Sequence, residues 1–130
     1  MFKPIHACGL PLALLAACGG GGDNGYADAV AKANAKEAQA TTLVATSPCT
    51  SVAQCDNLAF LSPTAQCSTY TYKPYSLVAA SAAAASAAAA EQRALAGQAM
   101  QLGPASGIAC VAVIGTPPPL ACRASTCQVQ

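Results

Sequence analysis

The chain has 130 residues, eight of them cysteine, and its 54% hydrophobic content is inflated by 33 alanines. This length allows one domain, and the scarcity of larger apolar side chains predicts a thin core. Only 8% of the residues are charged, six basic and five acidic, which excludes a basic nucleic-acid groove and a polybasic membrane patch.

The N-terminus has the pattern of an export signal. Lys3 gives it a positive start, residues 5–17 form an apolar stretch, and small residues come just before Cys18. The stretch is shorter than the roughly 20 residues that cross a bilayer as a helix. The four residues Leu-Ala-Ala-Cys at 15–18 resemble the lipobox of bacterial lipoproteins, in which a peptidase cuts before a cysteine whose thiol has received a diacylglyceryl group.

The lipobox resemblance implies a signal peptide at 1–17 and a lipid on Cys18 that holds the mature chain in a membrane. Several acyl chains on one residue anchor stably, whereas a single chain binds marginally. Residue 19 is glycine and not aspartate, so the resemblance implies the outer membrane, with the chain facing the periplasm. An ordinary signal peptide that happens to contain these four residues is the alternative, and the polar glycine-rich stretch that follows favours the lipobox.

The cysteine count agrees with this division. Cys8 would leave with the signal and Cys18 would carry lipid, so an even set of six remains in what would be an oxidising compartment, and such a set predicts up to three disulfides. The six are Cys49, Cys55, Cys67, Cys110, Cys122 and Cys127. Fifteen pairings are possible, and the sequence does not choose among them. A metal site is the disfavoured alternative, because C-x-x-C is missing and the only histidine, His6, lies in the signal.

Residues 18–45 are predicted to be a flexible linker between the lipid and the domain. The glycines that follow Cys18 resist ordering. Residues 26–45 are then rich in alanine and polar side chains, with few larger apolar ones. Alanine favours helix locally, but without an apolar stripe such a helix has nothing to hold it to a core, so we interpret this stretch as a spacer.

The globular domain is expected at 46–130, in the order strand, strand, helix, strand, strand. The predicted strands cover 56–61, 66–72, 108–114 and 120–129. Ser76 is expected to cap a helix that ends at Leu102, where Gly103 and Pro104 follow. Its predicted packing stripe is Val78, Ala85, Ala88, Leu95, Ala99 and Leu102. The expected fold is α+β, a small disulfide-stapled domain with one long Ala-rich helix packed on a short antiparallel sheet.

The same layout resembles a group of small uncharacterised proteobacterial lipoproteins with a six-cysteine periplasmic domain. Those proteins share two close cysteines, a third before an aromatic-Ser turn, a long Ala-rich helix and three cysteines at the end. Here Cys49 and Cys55 are the close pair, Cys67 precedes Tyr75 and Ser76, and three cysteines follow the helix. This sequence departs from the pattern in lacking a glycine-rich turn beside the third cysteine. The resemblance implies no particular activity.

Groups suited to catalysis are scarce. The mature chain would have no histidine, which excludes Ser-His-Asp and Cys-His sites. The carboxylates of the domain, Asp56 and Glu91, are far apart in sequence, with nothing to suggest that they meet as a general acid-base pair. We therefore expect neither an enzyme nor a cofactor.

Two features are candidates for binding a partner. Tyr70, Tyr72 and Tyr75 lie close together, and strand alternation puts Tyr70 and Tyr72 on one face, where they could stack on a sugar or a partner's side chain. The favoured interpretation is that the tyrosines add bulk to the core. The proline-rich loop 115–121 is weakly similar to the preorganised bait strand of protease inhibitors, and a rigid strand connection is the favoured alternative.

The sequence thus predicts a lipoprotein with a structural or interaction role in the cell envelope. Its expected partners are the membrane, through the lipid on Cys18, and an envelope protein. A periplasmic protease inhibitor that acts through 115–121 is the second hypothesis.

Overall fold

The structure, a computed structural model, describes residues 25–111 and 115–130. The predicted signal peptide, the lipidation site Cys18 and the glycine-rich start of the linker lie outside the described residues. The described residues form two α-helices and two small antiparallel sheets, which confirms the predicted α+β fold. In chain order the elements are α1 (Tyr26–Leu43), a 3-10 turn (Val52–Gln54), β1 (Cys55–Leu61), β2 (Tyr70–Ser76), α2 (Ala82–Leu102), β3 (Leu120–Arg123) and β4 (Thr126–Val129).

Helix α1 occupies the stretch that was predicted to be a spacer, and that prediction is wrong. Its buried residues Ala29, Ala33 and Ala40 are four and seven positions apart, so they share the face that packs against α2. Small side chains at a helix contact let the two axes approach closely. The packed unit therefore begins near Tyr26 and not at residue 46, because its seam is made of alanine and not of the larger apolar residues on which the spacer prediction depended.

The two helices run antiparallel and are fixed to each other at both ends. At the start of α1, the Tyr26 ring lies so close to Gly103 that a Cβ added to this glycine would come within 2.7 Å of the ring. At the other end, the Ser81 hydroxyl donates a hydrogen bond of 2.6 Å to the carbonyl of Leu43. A glycine just after α2 is thus required by the close approach of α1.

The first sheet supplies the larger side chains of the core. Strands β1 and β2 pair antiparallel, from Cys55 opposite Ser76 to Leu61 opposite Tyr70. The main core cluster contains Leu58, Phe60 and Tyr75 from this sheet, Ala85, Ala88 and Ala89 from α2, and Ala40 and Val44 from the end of α1. This arrangement confirms the predicted packing of an Ala-rich helix on a short antiparallel sheet.

Strand positions agree with the sequence prediction for β1 and are shifted for β2. The predicted strand at 56–61 is confirmed, whereas the one predicted at 66–72 lies four residues further along, at 70–76. Pro74 is inside β2, which is tolerated because β2 is an edge strand that needs hydrogen-bond donors on one side only.

Helix α2 begins later than predicted. The backbone N–H of Leu77 bonds to the carbonyl of Gln54 at 2.8 Å, which keeps the chain beyond β2 attached to the segment before β1. Ser76 is therefore the buried end of β2 and not a helix cap, and the helix starts at Ala82. Within residues 25–111 and 115–130, neither helix combines the length and the apolar character that a bilayer span requires.

The packing stripe of α2 was predicted in part. Ala85, Ala88 and Ala99 are buried as expected, but Val78 lies before the helix and is 60% exposed. Leu95 and Leu102 are half-buried. The prediction missed the buried residues Ala89, Gln92 and Ala96.

The C-terminal region forms a hairpin where a single strand was predicted. Strands β3 and β4 pair antiparallel around a two-residue turn, Ala124 and Ser125, so the expectation of one strand over 120–129 is wrong. Both turn residues have positive φ, 49° and 59°, which reverses the chain without the glycine that normally marks such a turn. The strand predicted at 108–114 is not formed at 108–111, and residues 112–114 lie outside the described part.

Candidate functional site

Three disulfides join the six cysteines that follow Cys18. The bridges are Cys49–Cys122, Cys55–Cys127 and Cys67–Cys110, with Cα atoms 5.9, 5.6 and 5.7 Å apart. The first two attach the β3–β4 hairpin to the chain around β1, and the third attaches the segment after α2 to the segment before β2. This confirms the predicted disulfide framework and supplies the pairing that the sequence left open.

Two of these bridges lie side by side. The Sγ atoms of Cys49, Cys55 and Cys127 all lie within 4.8 Å of one another, which is close enough for a shared metal ion. A thiolate is the form of cysteine that binds metal, and these three sulfurs are already bonded in disulfides. We therefore interpret the sulfur cluster as two neighbouring structural disulfides and not as a metal site.

The C-terminal hairpin is also held by backbone contacts beside the staples. The N–H of Cys49 donates to the carbonyl of Ser125 at 3.1 Å, and the N–H of Cys127 donates to the carbonyl of Ser47 at 2.9 Å. The hairpin is thus held by two hydrogen bonds to residues 47–49 and by two disulfides, to Cys49 and to Cys55.

The three candidate tyrosines do not share one surface. Tyr75 is 6% exposed and belongs to the core cluster. On the other face of β2, Tyr72 is half-buried and donates a hydrogen bond of 2.6 Å to the carbonyl of Gly115, while Tyr70 is 37% exposed. Of the three rings, only Tyr70 is open enough to stack on a partner.

Burial also sets the proton affinity of the core tyrosine. Desolvation raises the pKa of Tyr75 above 10.0, and the negative charge of Asp56, its cross-strand partner, raises it further. A hydrogen bond with Ser86 acts in the opposite direction. Tyr75 therefore keeps its proton to a higher pH than an exposed tyrosine does.

The proline-rich segment 115–121 is tied down through its carbonyl groups. Besides the bond from Tyr72 to Gly115, the Asn57 side chain donates to the carbonyl of Pro118 at 3.0 Å. The backbone N–H of Gln130 donates to the carbonyl of Pro119 at 2.9 Å. Disulfides at Cys110 and Cys122 hold the chain on either side. The segment is thus a braced connection with the side chains of 116, 117 and 119 exposed.

The two carboxylates considered for catalysis have separate partners. Glu91 forms an ion pair with Lys36 across the two helices. Asp56 accepts a hydrogen bond of 2.8 Å from the backbone N–H of Asn57 in β1. Glu91 is thus engaged between the two helices, and Asp56 within β1.

Gln92 is a buried polar residue that the sequence analysis missed. Its side chain is 0% exposed, accepts a hydrogen bond of 3.0 Å from the N–H of Leu61, and donates one of 2.7 Å to the carbonyl of the same residue. Next to it, Arg93 donates to the carbonyl of Ala59 at 2.9 Å. These side chains cover the free edge of β1, as a neighbouring strand would. A glutamine amid alanines was the only sequence signal.

Two open grooves lie at opposite ends of the helix pair. The Val78 groove, near the end of α1, has a volume of about 300 Å³ and is lined by Pro48, Cys49, Thr50, Gln54, Val78 and Ser125. The Ile108 groove, after the end of α2, has about 330 Å³, and its walls include Met100, Ala105, Ile108 and the Cys67–Cys110 disulfide. One large apolar side chain in the lining of each groove is exposed, Val78 at the first and Ile108 at the second. Other exposed apolar residues are close in sequence to the lining: Val52 and Leu77 at the first groove, and Val111 at the second.

Comparison with known proteins adds no relative. No protein-family model, no curated protein and no solved structure gives a significant match to this chain.

Proposed function

We propose that this chain is a bacterial lipoprotein, anchored in the outer membrane by lipid on Cys18, whose stapled domain is an interaction module of the cell envelope. The observation that carries the proposal is the closed pairing of the six downstream cysteines. No cysteine in the described part of the chain is left to bond Cys18, which agrees with a thiol committed to lipid. Disulfides of this number also suit the oxidising periplasm.

The anchor is tested by metabolic labelling with a clickable fatty acid in a Gram-negative host. The wild-type chain takes up the label, and Cys18→Ser does not, because the lipid acceptor is gone. Cys8→Ser is the matched control: it removes a cysteine from the same apolar N-terminus and keeps the label. Labelling that survives in Cys18→Ser, or is missing from the wild type, contradicts the proposal.

A protein partner is best accommodated at the Val78 groove. Val78 lines this groove and is 60% exposed, and the exposed residues Leu77 and Val52 are close in sequence to its lining residues Val78 and Gln54. Exposed apolar side chains that gather in one region are typical of an interaction surface. The surface chosen from the sequence, around Tyr70, Tyr72 and Tyr75, offers less, since Tyr72 is engaged by Gly115 and Tyr75 by the core, which leaves only Tyr70 open.

This surface is tested with a photo-crosslinking amino acid in the full chain in its own cells. At position 78 we expect one discrete adduct with an envelope protein. At Gln98, an exposed position on the outer face of α2, we expect none. Equal adducts at both positions, or no adduct at 78, argue against a partner at this groove.

Protease inhibition through 115–121 is the second candidate. It is favoured by the bracing of this segment, whose carbonyls at 115, 118 and 119 are hydrogen-bonded while neighbouring side chains are exposed. Such preorganisation lowers the entropy that binding costs. Incubation of the oxidised protein with a panel of serine proteases at micromolar concentration tests it: a true inhibitor blocks a protease and loses the effect when reduced, and full protease activity throughout dismisses this candidate. For catalysis itself we propose no role.

A further inference from the structure

We infer that the end of the molecule that carries the Ile108 groove lies against the lipid surface. We call this the membrane-contact face and define it by Met100, Ala105, Ile108 and Val111. The inference rests on the proposed lipid anchor and goes beyond it, because an anchor alone would let the domain take any orientation.

The described chain begins at this same end. A Cβ added to Gly25 would lie 3.8 Å from the Cδ1 atom of Leu102, and the Tyr26 ring touches Gly103. From Cys18 to Gly25 there are seven peptide steps, which span at most about 25 Å even when fully extended. A lipid on Cys18 therefore keeps the end of α2 within about 25 Å of the bilayer surface.

The membrane-contact face continues directly from the start of α1. A small depression there is lined by Tyr26, Met100 and Ala105 among others, and Met100 and Ala105 also line the Ile108 groove. Ile108 is 49% exposed and Val111 is 86% exposed. Apolar side chains are thus presented to solvent at the place where the anchor would hold the domain.

The charge pattern of the chain permits this orientation, although residues 38–55 and 74–90, which include the opposite end of the helix pair, are also free of charge. Residues 94–122, which include the end of α2 and the membrane-contact face, contain no charged side chain. Transfer of a charge into an apolar medium is costly, so its absence here lowers the cost of contact with lipid. Asp28 and Lys32, near the start of α1, neutralise each other in an ion pair of 2.7 Å.

The face is also held in place by a covalent link. The Cys67–Cys110 disulfide joins the segment after α2 to the segment before β2 and forms part of the wall of the Ile108 groove. Ile108 is two residues from this bridge, so its position is fixed relative to the helices. Amphipathic helices bury their apolar face about 5–10 Å deep at the boundary between headgroups and acyl chains, and we expect this apolar edge to enter the same layer.

This orientation leaves the Val78 groove open to the periplasm. Helix α1 has 18 residues and is about 27 Å long at 1.5 Å per residue, and the two grooves lie at opposite ends of it. One end of the molecule then contacts lipid, and the other is free for a protein partner.

A single tryptophan reports the contact, because the chain has none of its own. The test variant is Ile108→Trp, and its matched control is Val52→Trp, because both positions carry a partly exposed β-branched side chain. Each is made in the full lipidated chain. The protein is then reconstituted into vesicles of phosphatidylcholine brominated near the headgroup. We expect the fluorescence of the Trp at 108 to be shifted to shorter wavelength and quenched, and that of the Trp at 52 to be unchanged. Val111→Trp replaces Ile108→Trp if the latter fails to form its disulfides.

The salt dependence of the quenching and the mass of the protein distinguish contact with lipid from the other possible outcomes. Because the contact is apolar, quenching at 108 persists at high salt and without anionic lipid. Equal quenching at 108 and 52 in a chain that carries lipid overturns the oriented contact and leaves the anchor intact. A blue shift at 108 without quenching, together with a dimer mass, assigns the face to a second copy and also overturns the inference. A chain without lipid mass overturns the proposed anchor, and the inference with it.

Discussion

Gln92 is a buried polar residue that links helix α2 to the first sheet. It lies in the middle of an alanine helix, yet its amide satisfies both the N–H and the carbonyl of Leu61 on the edge of β1 that does not pair with β2. In a core with so few large side chains, this pair of hydrogen bonds connects the helix to the sheet in a specific register. A buried polar group contributes in this way only while its partners are complete.

Replacement of Gln92 by alanine should destabilise the protein by more than the loss of side-chain volume alone would, because two buried backbone groups lose their hydrogen bonds. In Gln92→Ala, the N–H and the carbonyl of Leu61 lose their partner, at about 1–3 kcal/mol for a buried group left unsatisfied. Denaturant unfolding measures the loss. Gln98→Ala, on the exposed side of the same helix, is the control and should stay near wild type. Equal stability of the two variants would show that the Leu61 contacts are dispensable.

Tyr75 gives the protein a pH dependence on the alkaline side. Its pKa in the folded state is raised above 10.0 by desolvation and by Asp56, so the folded state holds the proton more tightly than the unfolded state does. The associated stability is complete below about pH 10 and is lost as the pH rises through the folded pKa. An ultraviolet titration should show one late tyrosine, absent in Tyr75→Phe and retained in Tyr70→Phe. A late tyrosine that persists in Tyr75→Phe would refute the assignment.

Among the elements, the helix pair shows why a helix contact made of alanines is hard to predict from sequence. We call this contact the alanine seam; on α1 it consists of Ala29, Ala33 and Ala40. The prediction for α2 succeeded because a long run without proline, ended by Gly103 and Pro104, is a helix by propensity alone. The prediction for α1 failed because its contact residues are alanines, and alanine also stands at exposed positions of the same helix, such as Ala31, Ala35 and Ala38. Patterns of large apolar side chains do not detect such a seam.

A bulky residue in the seam distinguishes a packed α1 from a spacer. Ala33 is 0% exposed and packs with Leu61 and Ala96, so Ala33→Leu should cost about 1–3 kcal/mol through overpacking. Ala35→Leu, at an exposed position of the same helix, should leave the midpoint of thermal unfolding nearly unchanged. If Ala33→Leu is equally harmless, α1 does not pack as described.

The C-terminal hairpin shows a second limit of sequence analysis, because its turn residues carry no turn signal. Ala124 and Ser125 both adopt positive φ, a conformation that costs about 1–2 kcal/mol for residues with an ordinary side chain. Neighbouring disulfides at Cys122 and Cys127 hold the strands together in spite of this cost. Because the disulfides that support this turn bond to residues far away in sequence, residues 122–127 alone do not predict it.

Turn residues with the right preference should therefore stabilise the hairpin. Asparagine followed by glycine is the favoured pair for a two-residue turn of this shape. The double variant Ala124→Asn with Ser125→Gly should gain about 1 kcal/mol or more in the free energy of unfolding, given the cost of left-handed backbone. Ser125→Ala keeps a side chain at positive φ and is the control, with no gain expected. A less stable double variant would contradict the turn geometry.

At the scale of the whole molecule, disulfides compensate for the thin core. Two of the three bridges close long loops, with their cysteines 73 and 72 residues apart, and the third spans 43. Each such link stabilises by about 2–4 kcal/mol, mainly by restricting the unfolded chain. The number and region of these bridges followed from counting cysteines, whereas their pairing depends on long-range contacts that only the fold supplies.

The central claim is that Cys18 carries lipid while the six later cysteines are all bonded to one another. Intact mass spectrometry of the membrane-extracted protein, before and after reduction with alkylation, tests both halves together. We expect a chain that begins at Cys18, carries the mass of its acyl groups, takes up no alkyl group before reduction and takes up six after it. A chain that begins at Met1 or Gly19, lacks acyl mass, or is alkylated without reductant contradicts the account.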